Sequence, residues 1–178
     1  MTDTVGAAER YDPATNVWTD VGSMLVPRLG HSAVALGNYI YVVGGWNSVD
    51  HFNTVERYDP DTDTWQMVAN LNSPRSELAC AVINGKIYAC GGYNGEKFLN
   101  SMEVYDPTTD TWTYVASMCT DRGWPACAVF DGKLYVMGGR VKPGEMLKSM
   151  ESYDPATDRW TLAEPMSNAR DGHSAISA

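Results

Sequence analysis

Short apolar runs separated by two-residue turns recur along the chain and predict paired β-strands. The runs LACAVI (78–83) and KIYACGG (86–92) are separated only by Asn84 and Gly85. Asn-Gly between two apolar runs is a strong hairpin signal, because both residues adopt positive φ at low cost. The same position is occupied in two flanking segments by similar turn pairs, namely Gly37-Asn38 and Asp131-Gly132. The pattern therefore predicts three hairpins of one kind.

Each hairpin is followed by a loop and by two segments in which apolar and polar residues alternate. In the central unit these segments are NSMEVYD (100–106) and TWTYVA (111–116), joined by an Asp-Pro turn. Alternation is typical of strands with one exposed face, whereas the apolar first pair is expected to lie deeper. Each unit is thus predicted to be a four-stranded antiparallel sheet, and the chain to be all-β.

The phrase VERYDPDTDTW (55–65) occurs in four variants along the chain. Its final tryptophans are spaced by 47, 47 and 48 residues, at Trp18, Trp65, Trp112 and Trp160. A fixed period of this size indicates a repeat architecture, in which neighbouring sheets bury the faces that one sheet cannot bury alone. With four strands per unit, the pattern predicts the blades of a β-propeller. The tryptophans are predicted to fill the gaps between blades.

A Gly-Gly strand end, a Glu-x-Tyr-Asp-Pro phrase and the following tryptophan together resemble the Kelch repeat. The segment GGYNGEKFLNSMEVYDPTTDTW (91–112) is most similar to the Kelch domains of BTB-Kelch proteins. The resemblance implies one Kelch-repeat domain over residues 1–178, with about three complete blades plus partial blades at each end. The expected parts are a partial blade at 1–24, blades at 28–71, 75–118 and 122–166, and the start of the next blade at 170–178. Because complete propellers of this family resemble six-bladed rings, we expect a part of a larger ring, whose open ends favour self-association.

The family resemblance also implies a function. In BTB-Kelch proteins the propeller binds a substrate protein, and separate BTB and BACK domains engage a cullin-RING ubiquitin ligase. We therefore expect a protein-protein interaction module that serves as the substrate-recognition domain of such an adaptor, with the ligase engaged only through domains absent from this chain. Two alternatives are an actin- or cytoskeleton-binding Kelch protein and a Kelch-fold enzyme such as a sugar mutarotase.

The net charge of the chain argues against some classes of binding partner. The chain has 13 Lys+Arg against 22 Asp+Glu, a formal net charge of -9. Such a charge repels phosphate backbones and anionic lipids, so neither nucleic acid nor membrane is expected as a partner. The N-terminal residues lack the features of a signal peptide, and no apolar run approaches the length of a membrane span. These features predict a cytoplasmic protein.

Two sets of loops differ between units and are expected to carry the binding site. One follows Gly-Gly and the other precedes the first strand of each unit; in a propeller both emerge on one face, which we call the loop face. Loops on a rigid scaffold commonly carry binding residues, and arginine and aromatic residues are enriched at interaction hot spots. The predicted partner-binding residues are Arg28, Trp46, Arg75, Glu77, Tyr93, Arg122, Trp124, Arg140 and Arg170.

Four of these arginines share one register, at positions 28, 75, 122 and 170. They could form a basic ring around the central channel that binds a carboxylate-bearing, acidic peptide. Alternatively, they pair with the glutamates that recur in the units and hold the blades together. The first alternative is the basis for expecting an acidic peptide ligand at the loop face.

Catalytic motifs are not evident in the sequence. The three histidines are widely spaced, at His31, His51 and His173, and match no recognisable metal motif. There is also no nucleophile elbow and no phosphate-binding glycine loop that opens a helix. On this basis the chain is predicted not to be an enzyme, with no catalytic residue, metal or cofactor.

Overall fold

The computed structural model describes residues 5–177, and within them it contains sixteen β-strands and no helix. The all-β prediction is confirmed. The strands are β1 Ala8–Asp12, β2 Val17–Val21, β3 Ser32–Leu36, β4 Tyr39–Val43, β5 Val55–Asp59, β6 Thr64–Val68, β7 Ala79–Ile83, β8 Lys86–Cys90, β9 Met102–Asp106, β10 Thr111–Val115, β11 Ala126–Phe130, β12 Lys133–Met137, β13 Arg140–Lys142, β14 Glu145–Met146, β15 Met150–Asp154 and β16 Arg159–Ala163. Within this range there is no helix long and apolar enough to cross a bilayer.

Three four-stranded antiparallel sheets follow one another along the chain. Their strand orders are β3-β4-β5-β6, β7-β8-β9-β10 and β11-β12-β15-β16. We call them the first, second and third sheets. The first, second and third units are these sheets together with the loops that precede and connect their strands. The first strands β3, β7 and β11 contact one another in sequence, so they form the inner edges of the stack. A two-stranded sheet, β1-β2, precedes the stack, and the small hairpin β13-β14 lies in the loop of the third unit.

The predicted hairpin turns are present. Asn84 and Gly85 have φ values of 51° and 73°, and Asp131 and Gly132 have values of 48° and 69°. Ile83 pairs directly with Lys86, so only two residues connect β7 to β8. This geometry requires positive φ at both turn residues, which is why Asn-Gly and Asp-Gly mark the hairpins.

One set of contacts repeats between adjacent units. Trp112 on β10 is 7% exposed, and its Nε1 donates to the Ala69 carbonyl at 3.0 Å. Asp110 accepts the Ala69 amide at 2.9 Å and the Tyr105 hydroxyl at 2.8 Å, which fixes the tryptophan's unit against the previous one. The corresponding indole bonds join Trp65 to Gly22 at 2.5 Å and Trp160 to Ala116 at 2.8 Å.

The prediction that all four tryptophans fill gaps between blades is wrong for Trp18. It lies on β2 at the same register, but 62% of its surface is exposed. The other three indoles each pack on the unit before their own. Among residues 5–177, no unit precedes β1-β2, so Trp18 has no such surface to pack on.

The paired glycines bring loops of neighbouring units close together. Gly92 donates its amide to the Arg122 carbonyl at 2.7 Å, and a Cβ placed on Gly92 would lie 2.5 Å from the Ser76 carbonyl. Its φ of 98° also disfavours side chains. The equivalent bond from Gly139 to the Arg170 carbonyl, at 2.9 Å, docks residues 170–177 on the third unit. Those residues form no strand, because a hairpin partner for them is absent from the described part of the chain.

Candidate functional site

A cavity of about 460 Å³ lies at the loop face, between loops of the second and third units. The loop before β7, the loop between β8 and β9, the loop before β11, and β13 with its turn all contribute to its walls. The lining residues are Glu77, Tyr93, Glu96, Lys97, Phe98, Asp121, Trp124, Arg140, Val141, Lys142 and Pro143. We call this site the loop-face cavity.

The cavity brings together four of the predicted partner-binding residues: Glu77, Tyr93, Trp124 and Arg140. Short backbone bridges hold the loops that carry them. Ser76 pairs with Tyr93, and Gly123 pairs with Arg140, each through two reciprocal amide-to-carbonyl bonds of 2.8–2.9 Å. Because the neighbouring backbone is fixed in this way, the site is built on a rigid support rather than on free loops.

Arg140 and Trp124 form one wall of the cavity. The guanidinium carbon of Arg140 lies 4.2 Å from the centroid of the Trp124 ring, which is a cation-π arrangement. Arg140 also forms an ion pair with Asp171. The charge of Arg140 is therefore already balanced within the chain, and the exposed ring of Trp124 is held in one orientation.

Glu77 and Trp124 have an uncommon backbone conformation. Their φ values are 58° and 49°, and glycine stands at the same register in the other units, as Gly30 and Gly172, with values of 57° and 60°. The four positions are linked by backbone hydrogen bonds. The Glu77 amide donates to the Gly30 carbonyl at 2.7 Å, the Trp124 amide to the Glu77 carbonyl at 2.8 Å, and the Gly172 amide to the Trp124 carbonyl at 3.1 Å. A left-handed backbone costs a non-glycine residue roughly 1 kcal/mol or more. Backbone strain of this kind clusters at functional sites, so Glu77 and Trp124 are candidate binding residues.

Replacing Glu77 with glycine is expected to leave the free energy of unfolding unchanged or to raise it by up to about 1 kcal/mol, because glycine adopts positive φ without strain. Urea denaturation followed by circular dichroism measures the change. Glu96→Gly is the matched control, since Glu96 lines the same cavity without positive φ; it should lower stability by roughly 0.5 kcal/mol through loss of chain restriction. A loss above about 1 kcal/mol for Glu77→Gly would show that the glutamate is structural.

The carboxylate of Glu77 is only partly solvated. Its burial raises the pKa of Glu77, and the nearby positive charge of Arg140 partly offsets this effect. Among residues 5–177 it takes part in no ion pair, since the partner of Arg140 is Asp171. Glu77 is thus a partly desolvated acidic group facing a cavity.

Three of the predicted arginines lie beneath the loop face rather than on it. Arg75 is fully buried; its Nη2 lies 2.9 Å from Glu103 Oε1, and its Nη1 donates to the carbonyls of Gly91 and Ser101. Equivalent buried pairs join Arg28 to Glu56 at 2.5 Å and Arg122 to Glu151 at 3.0 Å. This corrects the assignment of Arg28, Arg75 and Arg122 to the partner-binding surface, because their guanidinium groups are already paired and inaccessible.

The same pairs also connect successive units. Glu103 accepts the backbone amide of Asn72 at 2.7 Å, and Glu56 accepts that of Leu25 at 2.6 Å. Each glutamate therefore binds an arginine of its own unit and the chain that enters from the previous unit. The arginines recur because the packing of the units requires them, and they give no support for an acidic ligand.

Two further predicted residues lie outside the cavity. Arg170 is exposed but does not line it. Trp46 stacks on His51 with a ring separation of 5.7 Å and an interplanar angle of 8°, and His51 meets Tyr93 edge-on at 5.2 Å. Trp46 therefore does not line the cavity. It stacks on His51, which contacts Tyr93, and Tyr93 lines the cavity.

Several lining residues were missed by the sequence analysis as partner-binding residues. They are Glu96, Lys97, Phe98, Asp121, Val141, Lys142 and Pro143. Phe98 packs on Tyr93 with ring centroids 5.2 Å apart. All seven belong to the variable loops or to the segments that flank them, so a comparison of loop sequences between units could have pointed to them.

The site is suited to recognising side chains. It offers aromatic rings, carboxylates and cationic groups on fixed loops, which together provide apolar contact, hydrogen bonds and charge pairing. Within the described residues, no group of three or more His, Cys, Asp or Glu side chains is placed to hold a metal ion.

Similar proteins include several curated Kelch-like proteins. The chain is 45% identical to Kelch-like protein 5 of Homo sapiens over 47 residues, which are 26% of this chain and 6% of that protein. It is 40% identical to Kelch-like protein 25 of Xenopus laevis over 52 residues, and 39% identical to Kelch-like protein 7 of Mus musculus over 51 residues. Each of the latter two matches covers 29% of this chain and 9% of the relative. The matched segments are therefore small parts of much longer proteins.

A solved structure titled "Structure of YjhT" has the same fold. It matches 93% of this chain and 61% of its own, with a TM-score of 0.83 and 21% sequence identity. This match overturns the prediction that the chain is not an enzyme. That prediction rested on the absence of catalytic motifs from the sequence. The fold shared with YjhT does not by itself distinguish an interaction module from the Kelch-fold enzymes considered above. The exclusion of catalysis was wrong.

The family comparison covers nearly the whole chain. The sequence profile described as "KLHDC2/KLHL20/DRC7 Kelch-repeats domain" matches residues 8–178. The sheets and the repeated contacts between units agree with this match, and Kelch domains bind protein partners. The chain belongs to the Kelch-repeat domain family.

Proposed function

We propose that this chain is the substrate-recognition domain of a BTB-Kelch adaptor, and that its loop-face cavity binds the substrate protein. The observation that carries the proposal is the convergence of Glu77, Tyr93, Trp124 and Arg140 on one cavity. Its volume of about 460 Å³ lies within the range of roughly 300–1,000 Å³ that is typical of ligand pockets. Aromatic and arginine side chains are also the groups that most often dominate binding energy.

The ligase part of the proposal depends on the relatives. The matched relatives are named Kelch-like proteins, and this chain matches only 6–9% of their length. A cullin-RING ligase would be engaged through domains outside this sequence, and the adaptor would act in the cytoplasm. The exposed surface around Trp18 is where the predicted self-association would occur.

The proposal is tested by affinity capture with this chain as bait, followed by quantitative mass spectrometry and by calorimetry with each purified candidate. Trp124→Gly with Tyr93→Ala should weaken binding of the true substrate roughly tenfold or more, because truncation of hot-spot residues commonly costs above 1.4 kcal/mol. Leu162→Ala is the control, since Leu162 is 68% exposed and does not line the cavity.

Binding that is equal in the cavity variant and in the control would contradict the assignment of the site. Direct binding of purified actin that requires the cavity would support the cytoskeletal alternative and overturn the adaptor role. Cavity-dependent binding of a protein that becomes ubiquitinated when the adaptor is present would support the proposal.

A further inference from the structure

The loop-face cavity carries an excess of unpaired negative charge. Three lining carboxylates, Glu77, Glu96 and Asp121, take part in no ion pair among residues 5–177. Two of the lining cations are already paired: Arg140 with Asp171, and Lys142 with Glu145 at 2.8 Å. Lys97 is the one lining cation without such a partner in the described range. Among the unpaired lining groups, a charged group that enters the cavity therefore meets three carboxylates and one cation, in a chain whose net charge is -9.

Aromatic rings line the same space. Tyr93, Phe98 and Trp124 all face the cavity, and Trp124 already accepts a guanidinium on one side, 4.2 Å from its ring centroid. The negative face of an aromatic ring attracts a cation and tolerates the apolar stem of a long basic side chain. The contact between Arg140 and Trp124 shows, within this chain, the geometry that an arginine adopts on this wall.

We propose that the loop-face cavity holds an arginine or lysine side chain of the bound protein, with its charge balanced by Glu77, Glu96 and Asp121 and its stem packed on the aromatic rings. The inference rests on the proposed function and specifies the chemistry of the partner. The three carboxylates come from three separate loops of two units, so a cation at the centre is approached from several sides.

Partial burial of Glu77 favours this occupant. Burial raises the pKa of Glu77, so its ionised form is poorly solvated when the cavity contains no cation. An entering ammonium or guanidinium group would supply the charge partner that Glu77 lacks. An acidic side chain would instead face three unpaired carboxylates and one unpaired cation, Lys97, and the buried arginines at 28, 75 and 122 cannot reach it.

The test uses three small probes of similar size: N-acetyl-arginine methylamide, its neutral isostere N-acetyl-citrulline methylamide, and N-acetyl-glutamate methylamide. Binding is followed by NMR at the Trp124 indole and the Tyr93 amide. The arginine probe should bind saturably, the citrulline probe about fivefold or more weakly, and the glutamate probe not measurably, since several charge contacts distinguish them.

A pair of triple variants controls for net charge. Glu77→Gln with Glu96→Gln and Asp121→Asn should weaken the arginine probe about fivefold or more. Asp20→Asn with Asp61→Asn and Glu164→Gln makes the same change in net charge at exposed positions outside the cavity and should have little effect. Equal affinities in the two triple variants, or glutamate binding as tight as arginine binding, would overturn the proposal.

The outcome can be separated from that of the proposed function. If protein capture depends on Trp124 and Tyr93 but the arginine probe does not bind, the cavity is a protein site whose ligand is not basic. If capture does not depend on the cavity, the proposed function and this inference both fail.

Discussion

Replacing Arg75 with alanine is expected to lower the free energy of unfolding by about 3–5 kcal/mol, because it leaves a buried carboxylate without its partner. The side chains of Arg75 and Glu103 are both fully buried, and the guanidinium also donates to the carbonyls of Gly91 and Ser101. Urea denaturation followed by circular dichroism measures the change.

Two variants show whether burial is the cause. Lys86→Ala removes an exposed pair, Lys86 with Asp106 at 2.9 Å, and should cost at most about 1 kcal/mol. Arg75→Met combined with Glu103→Leu removes both buried charges and should be more stable than Arg75→Ala alone, because no unpaired charge remains. A loss below about 1 kcal/mol for Arg75→Ala would mean that the arginine is not structural.

Replacing Trp112 with alanine is expected to cost about 3–5 kcal/mol, because the indole fills the space between the first and second sheets. The side chain is 7% exposed, packs on Tyr105 at a ring separation of 5.1 Å, and donates to the Ala69 carbonyl. Since each unit is stabilised chiefly by its neighbours, the loss should appear as separation of the first unit from the second. Hydrogen exchange of β5 and β9 amides, together with calorimetric unfolding, measures it.

Trp18→Ala is the matched control for this experiment. Trp18 occupies the same register on β2, but it is 62% exposed and packs mainly on Tyr11 at 5.2 Å. Its removal should cost roughly 1 kcal/mol or less. Similar losses for Trp18 and Trp112 would contradict the view that the indoles act by packing between units.

Much of the fold was predictable because each unit is specified locally. The turn pairs such as Asn84-Gly85 and the alternation in β9 and β10 set the strands, and the period of the tryptophans indicated stacked sheets. The exposure of Trp18 was not predictable from its register. That position becomes buried only when an adjacent unit packs on it, and among residues 5–177 no unit precedes β1.

The site was predictable in part. The variable loops contain the cavity residues, and Glu77 was found because it lies in one of them. Tyr93, Trp124 and Arg140 were found because aromatic and arginine residues are enriched at interaction hot spots. The arginine column was misassigned because a repeated register fixes which loop a residue occupies but not whether its side chain points outward or inward. Inward orientation of Arg75 depends on Glu103, which lies 28 residues further along the chain. A sequence signal for two cavity residues did exist, since Glu77 and Trp124 replace glycines of the other units.

The most direct test of the division between structural arginines and a binding cavity is the unfolding free energy of two variants on one loop. Arg75 and Glu77 are separated by a single residue, yet one side chain is fully buried and the other lines the cavity. Arg75→Ala should lose about 3–5 kcal/mol, while Glu77→Gly should lose none. Similar losses for both, or a larger loss for Glu77→Gly, would contradict this division of roles.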